Sequence, residues 1–143
     1  MCLFASVRVH SRFNFFVVFM IRVHTFLKYA RTHLQEAEAA LQEDHPAVAI
    51  GRCSDVAIAL IKAMAASLPR IKKDLLEMDN KALYKTISDL THTPDEARRL
   101  TQSIWELRKV EESCDSPPSR AEVKAVFSRA EETFKLVYDL CVG

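Results

Sequence analysis

Apolar side chains return every three or four residues along most of this chain, with charged and polar residues filling the gaps. From Arg22 to Glu43 the recurring positions are Val23, Phe26, Leu27, Ala30, Leu34, Ala37 and Leu41, with Arg31, Gln35, Glu38 and Gln42 opposite. A stripe of that period is one face of an α-helix. The segment "EDHP" closes it, and Pro46 suits the first turn of a second helix, where its missing N–H has no partner to lose. That second helix, Pro46 to Leu68, is apolar almost all round, and only Arg52, Asp55 and Lys62 draw a narrow polar line along it. A helix so encircled belongs at the centre of a bundle. Gly51 and the many alanines predict close approach by a neighbour.

A weaker pair follows, over 71–78 and 80–90. Ile71, Leu75, Met78, Leu83, Ile87 and Leu90 hold one face, and Asp79 with Asn80 marks a break. The next start is sharper: Thr93 as N-cap, Pro94 at the first helical position and Glu96 three residues after the cap form a capping box. This helix carries Ala97, Leu100, Ile104, Leu107 and Cys114 and runs to near Asp115, where Pro117 and Pro118 stop it. Ser119 and Glu122 repeat the box and open a last helix with Val123, Val126, Phe127, Ala130, Phe134, Val137 and Leu140 inward. Glu131 and Lys135 are spaced to pair on its outer face. Short connections favour antiparallel neighbours, so the expected fold is all-α, an antiparallel up-and-down bundle of four to five helices over residues 22–143.

Residues 1–21 stand apart as an N-terminal extension. Their apolar run, Phe13 to Ile21, is broken at Asn14 and is far shorter than the roughly 20 residues needed to span hydrocarbon. No small-x-small cleavage site follows, so neither export nor an integral membrane span is expected. An irregular lead-in, an over-extended start ahead of Met20 and a peripheral membrane anchor are the readings that stand.

Composition supports helices: the 143 residues include two glycines and five prolines. The net charge is +1, but residues 1–35 hold Arg8, Arg12, Arg22, Lys28 and Arg31 with no acid, which leaves −4 for the remainder. A basic arm suits phosphate or a membrane surface, whereas the near-neutral whole is unlike a dedicated, strongly basic nucleic-acid binder. Cys2, Cys53, Cys114 and Cys141 form no CxxC pair and read as reduced thiols of a cytoplasmic protein. The five histidines, at 10, 24, 33, 45 and 92, include no i,i+3 or i,i+4 pair, so no helix-borne metal site is expected. Glycine is too scarce for a phosphate-cradling loop, and no cofactor is implied.

The order of elements then carries a resemblance. An opening amphipathic helix, the central "AIALIKAMAASL", a short helix, a capped helix ending in "LRKVEESCD" and a closing "AEVKAVFSRAEETFKLVYDL" together resemble the HEPN domain family over about residues 22–141. The resemblance implies a small homodimeric bundle, often partnered by a minimal nucleotidyltransferase and acting in RNA metabolism or toxin–antitoxin systems. Active members cut RNA with an arginine followed, after four to six residues, by a histidine. The guanidinium fork would hold a phosphate and the imidazole would move a proton.

That motif is missing here. The spacing after Arg108 falls on Ser113, Cys114 and Asp115, and no arginine in the chain has a histidine at any of those distances. A serine or a thiol beside glutamates is a poor proton shuttle. The expectation is therefore a non-catalytic dimeric interaction or nucleotide-associated module, working with a nucleotidyltransferase in a toxin–antitoxin-type system, and no catalytic residue is assigned. Arg108, Arg99 and Lys109 are the candidate phosphate or nucleotide contacts, although Arg108 reads more simply as a partner of Glu111 or Glu112 one turn on. Trp105 is expected at a helix seam or subunit contact. A divergent ribonuclease pairing Arg108 with His92 or with a group from a second subunit is the enzyme alternative. The other is an unrelated helical adaptor docked through its basic N-terminus.

Overall fold

Residues 1–45 hold neither glycine nor proline: the first proline is Pro46 and the first glycine Gly51. The computed structural model describes residues 2–68 and 79–142, with side chains in the first helix described at 17, 18 and from 20 onward. Its first helix, α1, is continuous over Cys2–Gln42. The lead-in expected to be irregular is thus helical, and the backbone passes the expected boundary near Arg22 without a break. A lone Asn14 is too weak a breaker to stop a run that holds neither glycine nor proline.

The end of α1 is built by hydrogen bonding. The His45 N–H donates to the Ala40 carbonyl (2.8 Å) and the Asp44 N–H to that of Leu41 (3.3 Å). These are the two bonds of a Schellman motif, and Asp44, at φ 59°, occupies the left-handed position usually given to glycine. Pro46 follows at N1 of α2, Pro46–Ser67, which doubles back along α1. The polar line of α2 meets α1 directly: Arg52 Nε lies 2.9 Å from a Glu36 carboxylate oxygen and its Nη1 3.1 Å from Asp55.

Three further described helices complete the core. They are α3 (Asn80–Ser88), α4 (Pro94–Arg108) and α6 (Arg120–Val142), with a single turn, α5 (Val110–Ser113), between the last two. The expected helix over 71–78 lies outside the described residues. Helix α2 packs against α1, α4, α5 and α6, the central place its sequence predicts, while α3 packs on α4. Leu60, Ile61 and Met64 of α2 meet Val23 and Leu27 of α1, Ile104 and Leu107 of α4, and Val123 and Val137 of α6 in one buried cluster. Each fully buried side chain of that size contributes about 1.5–3 kcal/mol. Among the described residues the chain is all-helical.

Both predicted capping boxes form, in a variant shape. Thr93 Oγ1 accepts from the Glu96 N–H and Ser119 Oγ from the Glu122 N–H. The returning carboxylates, however, accept from His92 N–H and Asp115 N–H, upstream of the caps, and so hold the incoming chain rather than the cap itself. Asp79 caps α3 by accepting from Ala82 N–H at 2.8 Å.

One expectation is corrected. The helix predicted to run from Pro94 to near Asp115 is two helices, interrupted at Lys109. In an unbroken helix the Arg108 carbonyl would accept from the Glu112 N–H. Here Ser54 Oγ of α2 donates to that carbonyl (3.1 Å), and the Glu112 N–H turns to Lys109 O (3.1 Å). A hydroxyl entering the ladder from a neighbouring helix is an established cause of a kink.

Candidate functional site

The kink fixes the C-terminal end of α4, and with it the residues that carry the most distinctive chemistry. Trp105, Arg108 and Lys109 stand at steps of three and four, so they share a face. Lys109 Nζ lies 4.4 Å from the centroid of the Trp105 ring, and the Arg108 guanidinium carbon lies 5.9 Å from it. Both distances are within the range of cation–π attraction, about 0.5–1 kcal/mol at an exposed site. The half-buried tryptophan thus has two cations within 6 Å of its ring centroid.

Beside this cluster, α3 and α4 enclose an open groove of about 830 Å3, lined by Asn80, Lys81, Tyr84, Arg98, Thr101, Gln102, Trp105 and Glu106. Its floor is firm, because Thr101 is buried and its hydroxyl donates to the Ala97 carbonyl at 2.6 Å. Two of its charges are engaged. Glu106 accepts from Gln102 (3.0 Å) and pairs with Arg129 of α6 (2.6 Å), and Arg98 pairs with Asp95 at 3.2 Å. Lys81 of α3 adds positive charge to the lining, and Lys109, just past the end of α4, lies against the Trp105 ring. An aromatic pair, Tyr84 and Trp105, with cations around it suits a flat ring carrying a phosphate.

Of the three residues singled out by sequence, the fold brings two together. Arg108 and Lys109 meet on Trp105. Arg99 is exposed on α4, nine residues from Arg108, which is two and a half turns and therefore the opposite side of the helix. Past the break at Lys109, α5 packs on α2, and a Glu111 carboxylate oxygen lies 3.5 Å from where a Cβ on Gly51 would stand. Sequence reasoning placed Trp105 at a seam and did not join it to the cations, although the i,i+3 and i,i+4 spacing was there to read. Tyr84 and Lys81 carried no signal, since their meeting with α4 is a tertiary fact.

His92, offered as the imidazole for Arg108, is exposed in the turn before α4. Helix α4 has 15 residues, about 22 Å at 1.5 Å each, so the two groups sit at opposite ends of it. The three cysteines among the described side chains, Cys53, Cys114 and Cys141, are equally remote from nucleophilic chemistry. Burial, and secondarily Cys114, pushes the Cys53 thiol up to about 12. Burial, then the hydrogen bond and charge of Glu122, lifts that of Cys114 to about 11. Cys141 is raised by burial against an opposing hydrogen bond with Ser67. A thiol so shifted holds its proton at neutral pH. Among the described residues no three histidine, cysteine or acidic side chains are grouped to hold a metal ion.

No family model, no curated protein and no solved structure matches the chain.

Proposed function

We propose that this chain is a non-catalytic, HEPN-like helical module that works as a homodimer and holds a nucleotide or single-stranded RNA in the α3–α4 groove. In this reading α1, α2, α4 and α6 are the four rods of an antiparallel up-and-down bundle, and a minimal nucleotidyltransferase of a toxin–antitoxin-type system is the protein partner. The contact of Lys109 and Arg108 with the ring of Trp105, which itself lines an open groove, carries the reading. Stacking on an aromatic ring is tolerant of base identity and contributes about 1–3 kcal/mol per base, and the flanking cations supply the phosphate contact. The placement of His92 at the far end of α4 supports the absence of cleavage within one protomer.

Trp105 is the only tryptophan of the chain and reports on the groove directly. Titrating the purified protein with a short single-stranded RNA and with a mononucleotide at low salt is expected to quench its fluorescence. Lys109→Gln weakens the binding, added salt reverses it, and the RNA is recovered intact. Unchanged emission at saturating RNA refutes the ligand. Cleavage that is lost in Arg108→Ala refutes the non-catalytic assignment, and a monomer by light scattering refutes the dimer.

A further inference from the structure

The two halves of the first hairpin differ in length. Helix α1 has 41 residues, about 61 Å, whereas α2 has 22, about 33 Å, and both start from the same turn at 43–45. The N-terminal part of α1 therefore runs on beyond the end of α2 by nearly half its own length. Where this overhang leaves the bundle, the described side chains include exposed apolar groups: Val17 is 36%, Val18 49% and Ile21 57% exposed, three of the seven large exposed hydrophobics among the described residues. Val17, Met20, Ile21, His24, Thr25 and Lys28 share one side of the helix and line a shallow depression. Along that side the apolar groups sit toward the tip, and His24 and Lys28 follow one and two turns nearer the bundle.

We propose that this part of α1 is a docking surface for an anionic lipid bilayer. Charge complementarity decides the occupant. Residues 1–35 hold five Lys and Arg and no acid, so two copies pairing along this stretch would set five positive charges against five. The headgroups of anionic lipids carry the opposite sign, and the interfacial layer beneath accepts Val17, Val18 and Ile21, which offer nothing to a phosphate backbone alone. The apolar run is nine residues, about 13 Å, so the helix lies in the headgroup zone and does not cross the bilayer. No helix among the described residues is long and apolar enough to cross a membrane. This surface is separate from the α3–α4 groove, and its test is independent of the nucleotide reading.

The experiment is co-sedimentation of the full chain with vesicles of phosphatidylcholine alone and of an equimolar mixture with phosphatidylserine. Binding is expected on the mixed vesicles, with little on phosphatidylcholine and release by high salt. Val18→Asp with Ile21→Asp abolishes it, and because both positions are exposed the melting temperature stays at the wild-type value. Arg22→Gln weakens binding about fivefold, the effect of one cation at a charged surface. Equal binding to both vesicle types, full binding by the double variant, or no binding at all overturns the proposal. So does self-association that the double variant abolishes, since a second copy would then be the occupant.

Discussion

Replacing Ser54 by alanine tests the device that shapes the candidate site. Ser54 is 6% exposed, and its hydroxyl donates to the Arg108 carbonyl at the break between α4 and α5. A neutral hydrogen bond of this kind contributes about 0.5–1.5 kcal/mol, and a buried acceptor left without its donor moves the cost to the upper end. Alanine is the better helix former, which returns about 0.5 kcal/mol at a mid-helix position. The net loss is then about 1 kcal/mol. With an unfolding entropy of about 2.1 cal/mol/K per residue over 143 residues, roughly 0.3 kcal/mol/K, the melting temperature falls by about 3 °C. Ser128→Ala, on the exposed side of α6, isolates the propensity gain and is expected to raise it slightly. The difference between the two variants reads the hydrogen bond, and calorimetry at neutral pH measures it. Trp105 emission supplies a second readout, because losing the Ser54 contact lets Arg108 and Lys109 move relative to the ring. If Ser54→Ala melts no lower than Ser128→Ala and leaves the emission spectrum unchanged, the contact does not hold the kink and the account of the site is wrong.

Two other outcomes follow from the same interior. Gly51→Ala places a Cβ 3.5 Å from a Glu111 carboxylate oxygen, ordinary contact, while removing a mid-helix glycine. It is expected to stabilise by about 0.5–1 kcal/mol. A lower midpoint in urea would show that α5 sits closer to α2 than this spacing allows. The Cys53 thiol titrates near 9.0 when exposed and near 12 in the fold. The folded state therefore keeps a proton that the unfolded chain gives up, and stability falls as pH rises from about 9 toward 12, by up to about 1.4 kcal/mol per pH unit for this one group. Urea unfolding of wild type and Cys53→Ala at pH 8 and pH 10 checks it. The variant loses less stability across that interval, and equal losses would sink the assignment.

The core was legible because burial and helical period are the same fact. Ala97, Leu100, Ile104 and Leu107 were placed inward from spacing alone and are at most 1% exposed. The near-absence of polar groups along α2 likewise announced its contacts with α1, α4, α5 and α6. The features missed were of two kinds. In the N-terminal segment the misleading signal was the break in the apolar run at Asn14; the physical indicator of a continuous helix was simpler, a stretch without glycine or proline. At the site the reason was distance. The hydroxyl that ends α4 comes from a residue 54 positions away, and no local window contains it. Thr101 and Thr133, also buried, spend their hydroxyls on their own helix, donating to Ala97 and Arg129. Ser54 alone of the three buried polar side chains among the described residues donates to another helix, and it does so at the end of α4 where Arg108 and Lys109 turn onto Trp105. A polar position on the buried side of α2 was therefore the one mark in that helix that pointed to the site, and it is legible only by asking where its proton goes.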